Sequence, residues 1–108
     1  MKYYKVTSVM KSSARAYFDG SIFYRLNEWV TPTFGKLFVF NNLETAKSFM
    51  CSSERIFECR VRNPSRIYRI PKYMKDLKDY WEGKKVKKKD APKGTRLCDA
   101  VMLVKEIK

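Results

Sequence analysis

The chain has 108 residues, of which 24 are Lys or Arg and 11 are Asp or Glu, and its formal charge is +13 with no histidine. Such a field attracts polyanions, and the missing histidines remove the commonest general base near neutral pH and the commonest metal ligand, so composition favours anion binding over catalysis. An apolar fraction of 44% argues for a folded core, the length allows one domain, and no apolar run nears the roughly 18 residues that span a bilayer.

Lys2 to Met10 alternates, with Tyr3, Lys5 and Thr7 on one side and Tyr4, Val6 and Ser8 on the other, and predicts an opening strand. The N-terminus is basic but no continuous apolar stretch follows it, so a secretory leader is not expected. Lys11 to Arg15 is small and polar and reads as a loop. Asp19-Gly20 supplies a turn before a short strand from Ile22 to Arg25. Thr31 to Gly35 is a loop around Pro32, which has no amide donor. Leu37-Phe38-Val39-Phe40 is apolar without a break, the pattern of a strand covered on both faces. Asn41 or Asn42 then caps a helix to about Met50 or Cys51. Leu43, Ala46, Phe49 and Met50 form its apolar stripe, and Glu44 suits the helix dipole.

Arg55 to Arg62 alternates again, with Phe57, Cys59 and Val61 facing one way and Glu58, Arg60 and Arg62 the other, as in a half-buried strand. Asn63-Pro64 ends it. Ser65 to Ile70 reads as a further extended segment stopped by Pro71. Lys72 to Trp81 has helical spacing, with Tyr73, Leu77, Tyr80 and Trp81 on one side and Gly83 at the C-terminal cap. Lys84 to Gly94 holds six lysines and no core-forming pattern apart from Val86, so it reads as a flexible Lys-rich loop. Leu97 to Ile107 closes the chain with a second buried strand around Val101-Met102-Leu103-Val104. The expected fold is a single α+β domain over residues 1–108, a mixed, mostly antiparallel sheet with one or two helices packed on one face.

The charge is concentrated in the second half. Residues 1–54 carry seven basic and four acidic side chains, whereas residues 55–108 carry seventeen and seven. One cluster joins Arg60, Arg62, Arg66, Arg69, Lys72 and Lys75, with Tyr68 and Tyr73 between them. The arginine fork grips phosphate through paired hydrogen bonds, and neighbouring rings stack on exposed bases. A second cluster is Lys84, Lys85, Lys87, Lys88, Lys89 and Lys93, point charges that give salt-sensitive, sequence-independent affinity, beside Tyr80-Trp81 as a stacking platform. Either cluster also reads as an ordinary solvated surface, and Trp29, Tyr17, Phe18, Phe23 and Phe34 read first as core, with an aromatic pocket for a flat ligand such as a nucleobase as the second reading.

Nothing in the sequence assembles an active site. Cys51, Cys59 and Cys98 have no histidine to activate them, and Glu28, Glu58 and Asp99 stand apart. Three scattered cysteines without a Cys-x-x-Cys fit neither a disulfide framework nor a zinc site, and point to reduced thiols in a cytoplasmic setting. No catalytic residue, cofactor or metal is expected.

Tyr24-Arg25, Glu28-Trp29 and Pro32, then Gly35 to Phe40, Leu43 to Phe49, Ile56 to Val61, Pro92 to Thr95 and Asp99 to Val101 together resemble small uncharacterised proteins of phages, viruses and some microbes. That resemblance implies a viral or mobile-element context and no residue roles. A looser one, through the strand and helix from Phe40 to Ala46, is to ADP-ribosyltransferase-like folds. The chain lacks the histidine that opens their His-Tyr-Glu pattern, so no catalytic residue carries over.

The leading expectation is a non-enzymatic basic protein that engages nucleic acid. Arg60, Arg62, Arg66, Arg69, Lys72, Lys84, Lys85, Lys87, Lys88 and Lys89 would hold phosphates, and Tyr68 or Trp81 would stack. The alternatives are an inhibitor docking on an acidic host protein such as a defence nuclease, and a small nucleotide-binding or ADP-ribosyltransferase-like protein. No membrane partner is expected.

Overall fold

Leu37–Phe40 is buried along its whole length, and the rest of the fold explains why both of its faces need cover. The structure is a computed structural model that describes residues 2–8, 24–32, 35–50 and 54–108. In chain order the elements are β1 (Tyr3–Ser8), β2 (Trp29–Val30), β3 (Leu37–Phe40), α1 (Leu43–Phe49), β4 (Glu54–Arg62), β5 (Ser65–Arg66) and β6 (Arg69–Pro71). A 3-10 turn (Met74–Asp76), α2 (Leu77–Trp81), β7 (Lys88–Asp90), β8 (Thr95–Cys98) and β9 (Ala100–Ile107) follow. Seven strands form one sheet in the order β2-β9-β4-β1-β3-β8-β5, while β6 and β7 form a separate two-stranded ribbon. Every strand pair is antiparallel; the isolated bridge from Leu26 to Leu103 is parallel.

β8 and β9 are two halves of one strand broken at Asp99, and β4 and β5 are halves of another broken at Asn63-Pro64. Since β3 bonds to β1 and β8, β1 to β4, and β4 to β9, the ladder curls back on that bent strand. Its inner face holds Tyr24, Leu37, Val39, Phe57, Cys59, Cys98, Val101 and Leu103 in one buried cluster. Its outer face is covered in two places. Ala46 of α1 packs on Val6, Phe40 and Ile56, and Leu77 of α2 packs with Ile70 on Phe38. β3 thus sends Leu37 and Val39 inward and Phe38 and Phe40 outward, each into a packed cluster, which accounts for its unbroken apolar run.

α1 begins where expected. The Asn42 side chain accepts the Thr45 amide at 3.1 Å, satisfying a donor the first helical turn leaves unpaired. In β1, Lys5 and Thr7 share a side as the alternation predicts; that side is the inner one, and both are buried. A buried ammonium needs hydrogen-bond partners, and Lys5 Nζ donates to the Phe38 carbonyl at 2.8 Å. Lys5 is therefore structural charge, out of reach of a ligand.

Four expectations need correction. Tyr24 and Arg25 form no strand; Tyr24 is a buried side chain of the inner cluster, and Trp29–Val30 pairs with β9 instead. Ser65 to Ile70 is not one segment, because β5 pairs with β8 while β6 pairs with β7. The helix expected from Lys72 starts late: Tyr73 is 43% exposed, so the apolar stripe fails in its first turn and only Leu77–Trp81 is α-helical. Lys84 to Gly94 is not all loop, since Lys88–Asp90 is a strand. The Lys11–Arg15 loop, the Asp19-Gly20 turn, Tyr17, Phe18, Phe23, Phe34 and Cys51 lie outside the described residues. Among those described, no helix is long and apolar enough to cross a membrane.

The corner at Asp99 is held by charge. Its carboxylate accepts from Lys36 Nζ at 2.5 Å and from Asn63 Nδ2 at 2.9 Å, and its amide donates to the Arg62 carbonyl at 2.9 Å. The Lys36 hydrogen bond, with that of Asn63 second, lowers the Asp99 pKa. A lowered carboxylate pKa stabilises the fold above the unfolded value of about 3.9, and the contribution is lost as pH falls through the folded value. Asp99→Asn should therefore flatten the acid limb of a plot of thermal midpoint against pH. An unchanged acid limb would show that the corner does not depend on this carboxylate.

Candidate nucleic-acid interface

The two basic clusters are separate in sequence, and the β6–β7 ribbon joins them. Arg69 stands opposite Asp90, Ile70 opposite Lys89 and Pro71 opposite Lys88. The Lys72 amide donates to the Lys87 carbonyl at 2.8 Å and the Ala91 amide to the Tyr68 carbonyl at 2.9 Å, which extends the pairing at both ends. Ile70 and Pro71 are buried and root the ribbon on the outer cluster around Phe38. Arg69, Lys72, Lys87, Lys88 and Lys89 are exposed on it. Arg69 also donates to the Lys88 carbonyl at 3.1 Å, which fixes its side chain along the ribbon.

Aromatic rings accompany these cations. Tyr68, at 71% exposure the most open large hydrophobic side chain among the described residues, sits at the start of the ribbon between Arg66 and Arg69. The Tyr73 ring has Lys72 and Lys75 Nζ 5.8 and 5.7 Å from its centroid, and Lys88 lies 5.8 Å from that of Tyr80. Such contacts are worth about 0.5–1 kcal/mol at exposed sites, enough to bias where the lysines rest.

Two expected site residues turn out to be engaged elsewhere. Trp81 is half-buried against Gly35, with Phe38 and Tyr80 at centroid distances of 5.7 and 5.1 Å, so its ring serves packing and not display. Lys84 lies 3.1 Å from Glu82 and 3.7 Å from Asp79, and the hydrogen bond to Glu82 raises its pKa. Lys85 is exposed in the stretch between α2 and β7.

Arg60 and Arg62 project from the outer face of β4, away from the inner cluster. Arg66 lies directly opposite Arg96 across β5 and β8, a like-charge pair that disfavours the ladder unless an anion sits near. Five acids are committed to other cations: Glu58 to Lys2, Asp99 to Lys36, Glu106 to Arg55, and Asp79 and Glu82 to Lys84. Among the described residues, none of Arg60, Arg62, Arg66, Arg69, Lys72, Lys85, Lys87, Lys88 or Lys89 takes part in an ion pair.

Trp29, for which core is the first sequence reading and an aromatic pocket for a flat ligand the second, is 38% exposed on β2 and lies beneath the Arg62 guanidinium. The alternation of β4 put Arg62 outward, but only the pairing of β2 with β9 shows which ring it meets. Among the described residues the thiols are Cys59 and Cys98, both buried in the inner cluster, and burial pushes Cys59 up to about 12, away from a reactive thiolate. Among the described residues no three Cys, Asp or Glu side chains gather to hold a metal ion. No family model, no curated protein and no solved structure matches this chain, so its functional reading rests on the geometry of the ribbon and of the arginines leading into it.

Proposed function

We propose that this protein is a non-enzymatic nucleic-acid binder, of the viral or mobile-element type that the sequence resemblance implies. It would take phosphates on the β6–β7 ribbon and on Arg60, Arg62 and Arg66. One observation carries the reading: strand pairing sets Arg69 and Lys72 beside Lys87, Lys88 and Lys89, all exposed and none in an ion pair among the described residues. Cations held this way release a polyanion's counterions on contact, so affinity depends steeply on salt and little on sequence. Arg66 and Arg96 add a place where an anion relieves repulsion. Binding of the purified protein to labelled single- and double-stranded DNA and RNA at two salt concentrations tests this. Tight binding that falls steeply with salt is expected. No binding to any of the four at moderate salt would overturn the reading and turn attention to an acidic protein surface as the ribbon's partner.

A further inference from the structure

Among the described residues, no helix packs on the outer face of β2, β9 and β4: α1 lies over Val6, Phe40 and Ile56, and α2 lies with the ribbon over Phe38. On that face Trp29, Met102 and Arg60 form one cross-strand row, and Arg62 stands opposite Ala100 in the next. Ala100 offers only a methyl group, so Arg62 leans across it to place its guanidinium 4.0 Å from the Trp29 ring centroid. Trp29 stays 38% exposed. With Arg60, Arg62 and Pro64, and with Tyr3, Cys59 and Val61 from the inner side of the sheet, it lines an open concavity.

We propose that this face is a stacking subsite for an unpaired base of a single-stranded nucleic acid. The Trp29 ring and the Arg62 guanidinium form the platform, and Arg60 holds the adjoining phosphate. The inference rests on the nucleic-acid reading above and narrows it to strand type. Both platform groups are flat, and the Arg62 guanidinium carbon already rests 4.0 Å from the Trp29 ring centroid, so a base meets two groups held side by side. A duplex hides its base faces within the stack, whereas a single strand can splay one out. The charge is complementary, since neither arginine is in an ion pair among the described residues. The distance is right as well. Arg62 and Arg66 are four residues apart, a span of at most about 14 Å, so one strand of a few nucleotides reaches from the platform to Arg66 on β5.

The test uses the Trp81→Phe protein, in which Trp29 is the remaining tryptophan, with folding checked by circular dichroism. A short oligothymidylate is compared with an abasic oligomer of equal length and charge, and with a hairpin duplex. Oligothymidylate should quench Trp29 emission and bind roughly 5- to 150-fold tighter than the abasic oligomer, the range for one stacked base. Trp29→Ala should abolish that preference while leaving abasic binding intact, and Trp29→Phe should restore most of it. Equal affinity for both oligomers with unchanged emission, or a preference for the duplex, would overturn the stacking subsite and leave the ribbon standing. Failure of every probe to bind would overturn the nucleic-acid reading, and the subsite with it.

Discussion

Gly35→Ala is expected to destabilise the protein by roughly 2–5 kcal/mol, a large effect for one methyl group. Gly35 has φ +73, a left-handed conformation that costs an L-residue about 1–2 kcal/mol. A Cβ there would lie 2.4, 2.5 and 2.6 Å from three atoms of the Trp81 ring. That ring cannot swing away, because it is lodged between Phe38 and Tyr80. Something in the outer cluster must shift, and overpacking of this kind typically costs about 1–3 kcal/mol. Urea unfolding at constant m-value measures the total. A double-mutant cycle separates its parts. In a Trp81→Leu background the steric part should vanish, leaving the backbone part alone. If Gly35→Ala cost the same in both backgrounds, contact with Trp81 would have no share in it.

Replacing Lys87, Lys88 and Lys89 together by glutamine should lower the slope of log affinity against log salt by about 2 for a single strand, at about 0.7 per phosphate contact. Affinity at moderate salt should fall by tens of fold, on the order expected for three lost contacts. All three side chains are exposed, and Ile70 and Pro71 anchor the ribbon, so the thermal midpoint should change little. Lys84→Gln makes the control. It removes the same formal charge, but from a lysine already matched by Glu82 and Asp79, so its effect on the slope should be much smaller than that of a ribbon lysine. Equal effects would mean that only total charge matters, and that the ribbon is no site.

What could be read from the sequence was what is local. β3, the Asn42 cap and α1 were legible because an unbroken apolar run, a capping side chain and a three- and four-residue stripe each act within a few residues. β4 was legible because its alternation spans eight residues, from Arg55 to Arg62. The break at Asp99 was not, since neither Gly nor Pro marks it and its cause is a carboxylate bound by Lys36 from a distant part of the chain. β7 was hidden because it is paired to β6 across α2, and Lys88, Lys89 and Asp90 show no apolar alternation of their own. The candidate site divides the same way. Its arginines and lysines were legible as residues, whereas their union on one ribbon, the loss of Trp81 to packing and the exposure of Trp29 all depend on pairings remote in sequence.

The place of β8 and β9 in the sheet bears on how the chain is made. β8 sits between β3 and β5, and β9 between β2 and β4, so strands translated late flank the central β4, β1 and β3 on both sides. Until residues 95–107 leave the ribosome, β3 and β4 each keep an open hydrogen-bonding edge, and the inner cluster lacks Cys98, Val101 and Leu103. Closing a ladder between such distant segments is slow, of the order of milliseconds to seconds. Open edges are templates for pairing with neighbouring nascent chains during that wait. By then most of the arginines and lysines have already emerged, and chains of like charge repel one another. The same excess of cations that would later draw in a polyanion keeps unfinished copies apart while they fold.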